Sequence, residues 1–234
     1  MSLLSEYEQR TAWKYERISG SFHTHDGLIN KVRPDGSYVP FFGSTVVFTA
    51  DDQFIRTLQN TQTALHDRLD DMLAEPLPAS TLHLTLHDLV SSELCVSDPG
   101  DVESYSREVA DSVSKAENIV REIKSEYPGQ RLVFEADRIV NMVAKSLVLL
   151  LRPHREKDYE LLLEMYRRFN SIVSLPYELA PHITLAYFRP GMIDGDRLGS
   201  VVEQIQILGN DTCLFEFPVE ALTVQVFRNM KSYE

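Results

Sequence analysis

The chain of 234 residues is poor in basic residues and in cysteine. Its 23 lysines and arginines stand against 35 aspartates and glutamates, which gives a formal net charge of -12 and a pI near 5.0. A broad basic surface for long nucleic acid is therefore not expected. Cys95 and Cys213 are isolated in sequence. This excludes a disulfide framework and a cysteine-based zinc cluster, and makes a reducing cytoplasm the expected location.

Long apolar runs are also missing. No run approaches the ~18 residues of a membrane-spanning helix, and the first residues, MSLLSEYEQR, lack the pattern of a signal peptide. We therefore expect a soluble, unprocessed protein with no membrane partner, and a monomer. The hydrophobic content of 43% is sufficient for a packed core.

Apolar runs alternate with amphipathic stretches along most of the chain. Their periodicity predicts strands over residues 44–50, 81–90, 132–140, 145–152, 182–188, 214–217 and 222–227, and helices over 52–73, 102–126, 156–172 and 196–208. Residues 1–40 are polar and rich in turn-forming residues. We interpret them as an N-terminal extension laid on a single domain that covers residues 41–234.

One order of elements occurs twice in that domain: an apolar strand, a helix, a proline-containing connection, a strand with His-x-Thr-Leu, a helix and a strand. The spacing agrees, because 38 residues separate Thr45 from His83 and 36 separate Ser146 from His182. The interval of 99 residues between the two histidines is too long for a solenoid repeat and suits two lobes that face each other.

This duplication predicts the fold class. We expect an α+β, bilobal, pseudo-twofold duplicated fold in which antiparallel sheets line a central cleft and helices lie outside. The lobes should cover about residues 41–141 and 142–234.

The repeated motif is His83-Leu84-Thr85-Leu86 and His182-Ile183-Thr184-Leu185. Residues i and i+2 of a strand point to the same face, so each histidine projects together with its threonine, and the leucines and Ile183 point into the core. If a pseudo-twofold axis relates the two strands, both imidazoles and both hydroxyls converge on one groove.

Such a groove suits phosphodiester cleavage. Imidazole titrates near neutral pH, so one histidine can take a proton from the attacking hydroxyl or water while the other protonates the leaving alkoxide. The threonine hydroxyls would bind the non-bridging phosphate oxygens. Symmetry alone does not decide which histidine is the acid. The scheme requires no metal and no cofactor.

At these residues the chain resembles the two-histidine (2H) phosphoesterase superfamily, from about Gly43 to the C-terminus. The superfamily includes RNA 2′,3′-cyclic phosphodiesterases, bacterial RNA 2′,5′-ligase-like proteins and 2′,5′-oligoadenylate phosphodiesterases. The resemblance implies a bilobal fold in which each lobe contributes one His-x-[Ser/Thr]-x motif to a shared cleft. The N-terminal segment is not part of the minimal pattern and looks more like a bacterial branch of poorly defined function.

Four further residues are candidates for substrate binding. His87 continues the alternation that starts at His83, and Phe188 continues the one that starts at His182, so both should face the cleft. Tyr187 should then point away, unless a bulge intervenes.

Arg152 ends an apolar strand, where it could meet phosphate charge. Phe42 precedes the first strand of the domain, where packing against the extension is the competing interpretation.

Two alternatives stay open at this point. His83, His87 and His182 could form a zinc site, although a zinc site leaves the two threonines unexplained. The cleft could also be a nucleotide-binding module without turnover.

We predict a metal-independent hydrolase of phosphodiesters next to a ribose hydroxyl, with a small nucleotide or a short RNA 2′,3′-cyclic phosphate end as its partner. Hydrolysis of 2′,5′-linked or cyclic oligonucleotides needs the same histidines and is equally compatible with the residues.

Overall fold

A computed structural model describes residues 2–15, 18–177, 179–205 and 214–234. Cys213 and the predicted end of the last helix at Leu208 lie outside the described residues. Within them, Cys95 is a free thiol. No helix in these ranges is both long and apolar enough to cross a membrane.

The described residues contain helices and strands in nearly the predicted order. The α-helices are α1 (Leu3–Arg10), α2 (Asp52–Leu69), α3 (Val102–Glu126), α4 (Glu156–Phe169) and α5 (Gly195–Gln204). The strands are β1 (Ser21–His23), β2 (Gly43–Thr49), β3 (His83–Ser91), β4 (Arg131–Met142), β5 (Ser146–Pro153), β6 (His182–Tyr187), β7 (Met192–Asp194), β8 (Leu214–Pro218), β9 (Leu222–Asn229) and β10 (Ser232–Tyr233).

Eight of these strands form one sheet in the order β10-β9-β2-β3-β6-β5-β4-β8, and every neighbouring pair is antiparallel. The strand order is pseudo-symmetric about the centre of the sheet. Strands β3, β2 and β9 on one side correspond to β6, β5 and β4 on the other. The predicted α+β class with antiparallel strands is confirmed. The two halves belong to one continuous sheet, and the C-terminal strands β9 and β10 complete the half that contains β2 and β3.

The two halves meet where β3 and β6 pair through Leu84 and Ile183. Both side chains are fully buried in the main core. Helices α2, α3 and α4 supply the other side of this core, with Leu58, Val120, Phe169 and their neighbours. Because the apolar alternate positions of both strands face the helices, the positions between them face the opposite side of the sheet.

Each motif strand contains a β-bulge at the same place. The extra residue is Leu86 in β3 and Leu185 in β6, since the residues on either side of it pair with consecutive residues of the outer neighbour strand. The first six residues of β3 and of β6, counted from the histidine, have the same pattern of half-buried and buried side chains. A bulge reverses the alternation of faces, so Asp88 and Tyr187, five residues after the histidines, return to the motif face.

The N-terminal segment is integrated into the fold. Tyr7 and Leu28 are fully buried in the main core, and the Tyr7 hydroxyl donates a hydrogen bond to the Leu151 carbonyl at 3.1 Å. Strand β1 pairs with β7 in a separate two-stranded sheet. The N-terminal segment therefore contributes both core residues and a strand to the fold.

Helix α2 ends at Leu69 and not at residue 73 as predicted. The chain leaves the helix to meet the end of β6: the Ala74 amide donates to the Tyr187 carbonyl at 2.9 Å, and Leu73 forms a bridge with Phe188. Helix α4 ends at Phe169, three residues before the predicted end. Pairing with the distant strand β6 therefore sets the C-terminal end of α2. The helical spacing of Met72 and Leu73 did not indicate this end.

The close approach of the N-terminal segment to α5 gives a stability test at Gly199. A Cβ there would lie 2.1 Å from the Ile18 carbonyl oxygen. Gly→Ala inside a helix ordinarily stabilises by roughly 0.5–1 kcal/mol. We expect the reverse for Gly199→Ala, a loss of about 1–3 kcal/mol, because the segment or the helix must shift. Urea unfolding measures the change, with Ser200→Ala as the neighbouring control. An unchanged or higher midpoint for Gly199→Ala would contradict the packing.

Candidate active site

The four motif side chains line one cleft of about 400 Å³. His83, Thr85, His182 and Thr184 are each partly exposed, whereas Leu84 between the first pair is fully buried. Continuing the antiparallel pairing of Leu84 with Ile183 sets His83 opposite Thr184 and Thr85 opposite His182. The sheet therefore brings together the four residues that strand alternation and the duplication pointed to.

His182 has a defined hydrogen bond at one ring nitrogen. Its Nδ1 lies 2.7 Å from the Ala180 carbonyl oxygen, which can only accept, so Nδ1 carries a proton. This leaves Nε2 to gain or lose a proton in the cleft. Removal from water lowers the pKa of His182, while the bond to Ala180 and the charge of Asp88 raise it. The Nδ1–H group therefore keeps its hydrogen bond to Ala180 whether or not Nε2 is protonated.

His83 is in a different environment. Its Nδ1 is buried and has no hydrogen-bond partner among the described residues, and its ring packs edge-on against Tyr233 with centroids 5.0 Å apart. Burial lowers the pKa of His83 to about 4, the charge of Asp88 opposes this, and a positive charge on His182 lowers it further. These effects together favour a neutral His83 at neutral pH.

Asp88 is a cleft residue that the sequence did not reveal. Its Oδ2 accepts a hydrogen bond of 2.5 Å from the Tyr177 hydroxyl. Burial and the neighbouring Asp88 raise the pKa of Tyr177, so the phenol keeps its proton and remains a donor. The Asp88 carboxylate favours the protonated form of both motif histidines. Among the described residues, Asp88 is the acidic residue that raises the pKa of both His83 and His182.

Aromatic and sulfur-containing side chains form one wall of the cleft. This wall contains Phe41, Tyr187, Phe227, Met230 and Tyr233. The Tyr187 hydroxyl lies 3.2 Å from the Met230 sulfur, and burial raises the pKa of the phenol well above its usual value. Tyr233 of this wall packs against the His83 ring.

Charged residues occupy the rim. Lys31 comes from the N-terminal segment, Glu93 follows β3, and Lys145 belongs to the turn between β4 and β5. Each lysine ammonium lies within 4 Å of the Glu93 carboxylate, at 3.7 Å for Lys31 and 3.9 Å for Lys145. Sequence patterns gave no sign of this cluster, because three distant parts of the chain supply it.

The predicted faces of His87 and Phe188 are wrong, and Tyr187 follows the exception made for a bulge, all for one physical reason. The bulges at Leu86 and Leu185 reverse the alternation, so His87 turns away from the cleft and Tyr187 enters it. His87 packs against Tyr166 and Phe169 of α4. Its Nε2 also lies 3.1 Å from the Asn170 side-chain oxygen. Phe188 is fully buried against Phe22.

Arg152 and Phe42 also lie outside the cleft lining. Arg152 forms ion pairs with Glu8 at 2.6 Å and Glu135 at 3.3 Å, which tie β5 to α1 and β4. Phe42 packs edge-on against Tyr105 of α3, and the Tyr105 hydroxyl donates to the Phe42 carbonyl. Its neighbour Phe41 lines the cleft in its place.

The histidine set considered for zinc does not converge. His87 lies on the helix side of the sheet, whereas His83 and His182 line the cleft. Among the described residues, no group of three or more histidine, cysteine, aspartate or glutamate side chains is arranged to hold a metal ion.

The lowered pKa of His83 predicts a loss of stability in acid. Unfolding restores a pKa near 6.5, so the unfolded chain binds a proton that the folded chain refuses down to about pH 4. Stability from this site is complete above pH 6.5 and falls as the pH drops toward 4, by on the order of 3 kcal/mol. His83→Gln should lose less stability over that range in urea unfolding, whereas His23→Gln, an exposed control, should follow the wild type. Equal slopes for wild type and His83→Gln would contradict the burial effect.

Comparisons with known proteins give a likeness at the level of structure. No family model and no curated protein matches the chain. The crystal structure of ATU0111, a conserved protein of unknown function from Agrobacterium tumefaciens, matches with 15% identity, over 91% of this chain and 92% of that one, at a TM-score of 0.60. E. coli LigT complexed with phosphate matches with 15% identity, over 84% and 95%, at 0.47. A structure described as a phosphoesterase matches with 15% identity, over 80% and 88%, at 0.44. The chain therefore has the fold of the Agrobacterium protein, along about nine-tenths of each chain.

Proposed function

We propose that the chain is a member of the two-histidine phosphoesterase superfamily that hydrolyses ribose phosphodiesters, with 2′,3′-cyclic phosphate ends as the preferred substrate. The supporting observation is the placement of His83, Thr85, His182 and Thr184 on adjacent antiparallel strands that face one cleft. A cleft of about 400 Å³ is of the size that small nucleotides require. The proposal extends to short RNA ends, which present the same terminal group.

The surroundings of the histidines support different roles. His182 can carry a proton on both nitrogens, because the Ala180 carbonyl already accepts from Nδ1. Burial favours the neutral form of His83, which is the form in which a general base begins the reaction. We therefore assign the general base to His83 and the general acid to His182. The negative phosphodiester raises the pKa of both rings on binding, which permits protonation of His182 at neutral pH.

The steps follow from these roles. His83 takes a proton from water, the water oxygen attacks phosphorus, and the bond from phosphorus to one ribose oxygen breaks. His182 gives its proton to that oxygen, so the product is a ribose phosphomonoester with one free hydroxyl. Thr85 and Thr184 donate hydrogen bonds to the non-bridging oxygens and stabilise the charge of the transition state. Exchange with solvent restores both histidines.

Removal of either histidine should nearly abolish turnover. We expect His83→Ala and His182→Ala to lose about 10²–10⁴-fold in kcat, and Thr85→Ala or Thr184→Ala to lose roughly 10²-fold. The assay is a screen of 2′,3′-cyclic nucleotides, 2′,5′-linked dinucleotides, cyclic dinucleotides and ADP-ribose cyclic phosphate. Activity should survive chelators, and His23→Ala should behave as the wild type.

The outcomes of that screen separate the alternatives. Near-normal turnover by either histidine variant would disprove the two-histidine mechanism. Stoichiometric zinc that is lost together with activity on chelation would indicate a metal-dependent hydrolase. Tight binding of nucleotides without turnover of any of them would indicate a binding module. A preference for 2′,5′-linked or cyclic oligonucleotides would keep the mechanism and change the substrate.

Asp88→Asn should shift the pH profile of kcat/KM to lower pH. The carboxylate raises the pKa of both histidines, so its removal lowers the pH at which His83 is protonated and at which His182 loses its proton. Asparagine keeps an oxygen that can accept from Tyr177, and Tyr177→Phe serves as the matched variant that removes this bond and keeps the charge. A profile that is unchanged or moves to higher pH would refute this role of Asp88.

Three further expectations from the sequence stay predictions: the cytoplasmic location, the monomeric state, and the absence of any cofactor. The division into lobes near residue 141 also stays a prediction. That boundary lies at the end of β4.

A further inference from the structure

We propose that Lys31 and Lys145 form a second anion subsite in the cleft, which binds a terminal phosphate of the substrate. This inference rests on the proposed function, in which His83 and His182 act on a phosphodiester of the same molecule. The supporting geometry is the convergence of two ammonium groups from distant parts of the chain on the rim of the motif cleft.

The two ammonium groups approach the same atom. Lys31 Nζ lies 3.7 Å and Lys145 Nζ lies 3.9 Å from Oε2 of Glu93. Both distances exceed those of N–H···O hydrogen bonds, which are about 2.7–3.2 Å. Neither ammonium donates a hydrogen bond to a protein group among the described residues. Their donors are therefore available to an anionic ligand, while Glu93 supplies a loose counter-charge.

The backbone at each lysine is fixed. The Val39 amide donates to the Lys31 carbonyl at 3.0 Å, and the Phe188 amide donates to the Lys145 carbonyl at 3.0 Å. The side chains retain only 18% and 23% of their exposure, so attraction to an anion is less screened than on the open surface. Partial burial also limits the rotamers open to these long side chains, which reduces the entropic cost of binding.

The turn that carries Lys145 has an unusual backbone. Val143 and Ala144 have φ of 46° and 56°, in the left-handed region that a β-branched residue rarely adopts. The His25 amide donates to the Ala144 carbonyl at 3.0 Å. The N-terminal segment therefore both supplies Lys31 and holds the turn that supplies Lys145.

Phosphate fits this subsite better than a base does. The Phe41 ring has Lys31 Nζ at 4.6 Å from its centroid and is stacked on Phe227, with the planes 6° apart. Phe41 is only 4% exposed, so its ring offers no open face to a nucleobase. Two lysines match a phosphate monoester, whose charge at pH 7 lies between -1.5 and -2, and this charge competes well with the single charge of Glu93.

The test compares ligands that differ only in a terminal phosphate. Calorimetry gives the Kd of adenosine 2′,5′-bisphosphate and of adenosine 2′-phosphate, and kinetics gives kcat/KM for adenosine 2′,3′-cyclic phosphate with and without a 5′-phosphate. We expect the wild type to prefer the 5′-phosphorylated ligand by about tenfold or more. Lys31→Met combined with Lys145→Met should remove this preference, because it weakens binding of the bisphosphate much more than binding of adenosine 2′-phosphate.

Two matched variants sharpen the result. Glu93→Gln should increase the preference, because it removes the competing carboxylate and keeps the shape of the side chain. Lys115→Met removes an exposed lysine that pairs with Asp111 on α3 and should leave the preference unchanged. Thermal unfolding shows whether each variant is folded.

The subsite and the enzyme can fail separately. Equal affinity of the wild type for both ligands, or a preference that survives in the double lysine variant, would overturn the subsite even if cyclic phosphates are hydrolysed. A preference that the double variant loses, without turnover of any substrate, would support the subsite and remove the hydrolase proposal.

Discussion

The cleft depends on one short antiparallel contact at the centre of the sheet. Leu84 of β3 and Ile183 of β6 form the pair that joins the two halves, and both are fully buried under the helices. In an antiparallel pair, the residues next to the joined ones point to the opposite face. Burial of two apolar side chains therefore forces His83, Thr85, His182 and Thr184 onto a common face, and any slip by one residue would send all four into the core.

This constraint explains how much of the site could be predicted. Period-two alternation and the duplicated order of elements are local and visible in the sequence, so they were sufficient for the four motif residues and the α+β class. They did not predict which face the side chains take after the third residue of each motif, where the bulges at Leu86 and Leu185 occur. In HITLAY the adjacent Leu185 and Ala186 are a weak sign of a bulge. In HLTLHD the sign is absent, since the buried position is occupied by His87, which satisfies its ring through Asp88 and Asn170.

The rim could not be predicted, because its residues meet only through the fold. Lys31, Glu93 and Lys145 come from three separate parts of the chain, and each has an ordinary local context. The overall charge of -12 even argued against a basic site. Global charge governs long-range attraction, whereas a ligand in a half-buried cleft responds to the few charges beside it. Two lysines placed in that way can bind an anion on an acidic protein.

Burial has opposing effects on the two histidines. It reduces the screening of charges by solvent, but it also lowers the pKa of both rings, and a pair of neutral imidazoles contains no strong acid. Asp88 offsets part of this effect, because its charge raises the pKa of both rings. The Ala180 carbonyl accepts a hydrogen bond from Nδ1 of His182, so this ring can be protonated at Nε2 without an unpaired Nδ1–H. An anionic phosphodiester, as proposed for this cleft, would supply the rest, since a neighbouring negative charge favours the imidazolium form. In the proposed mechanism the general acid therefore depends on the negative charge of the phosphodiester on which it acts.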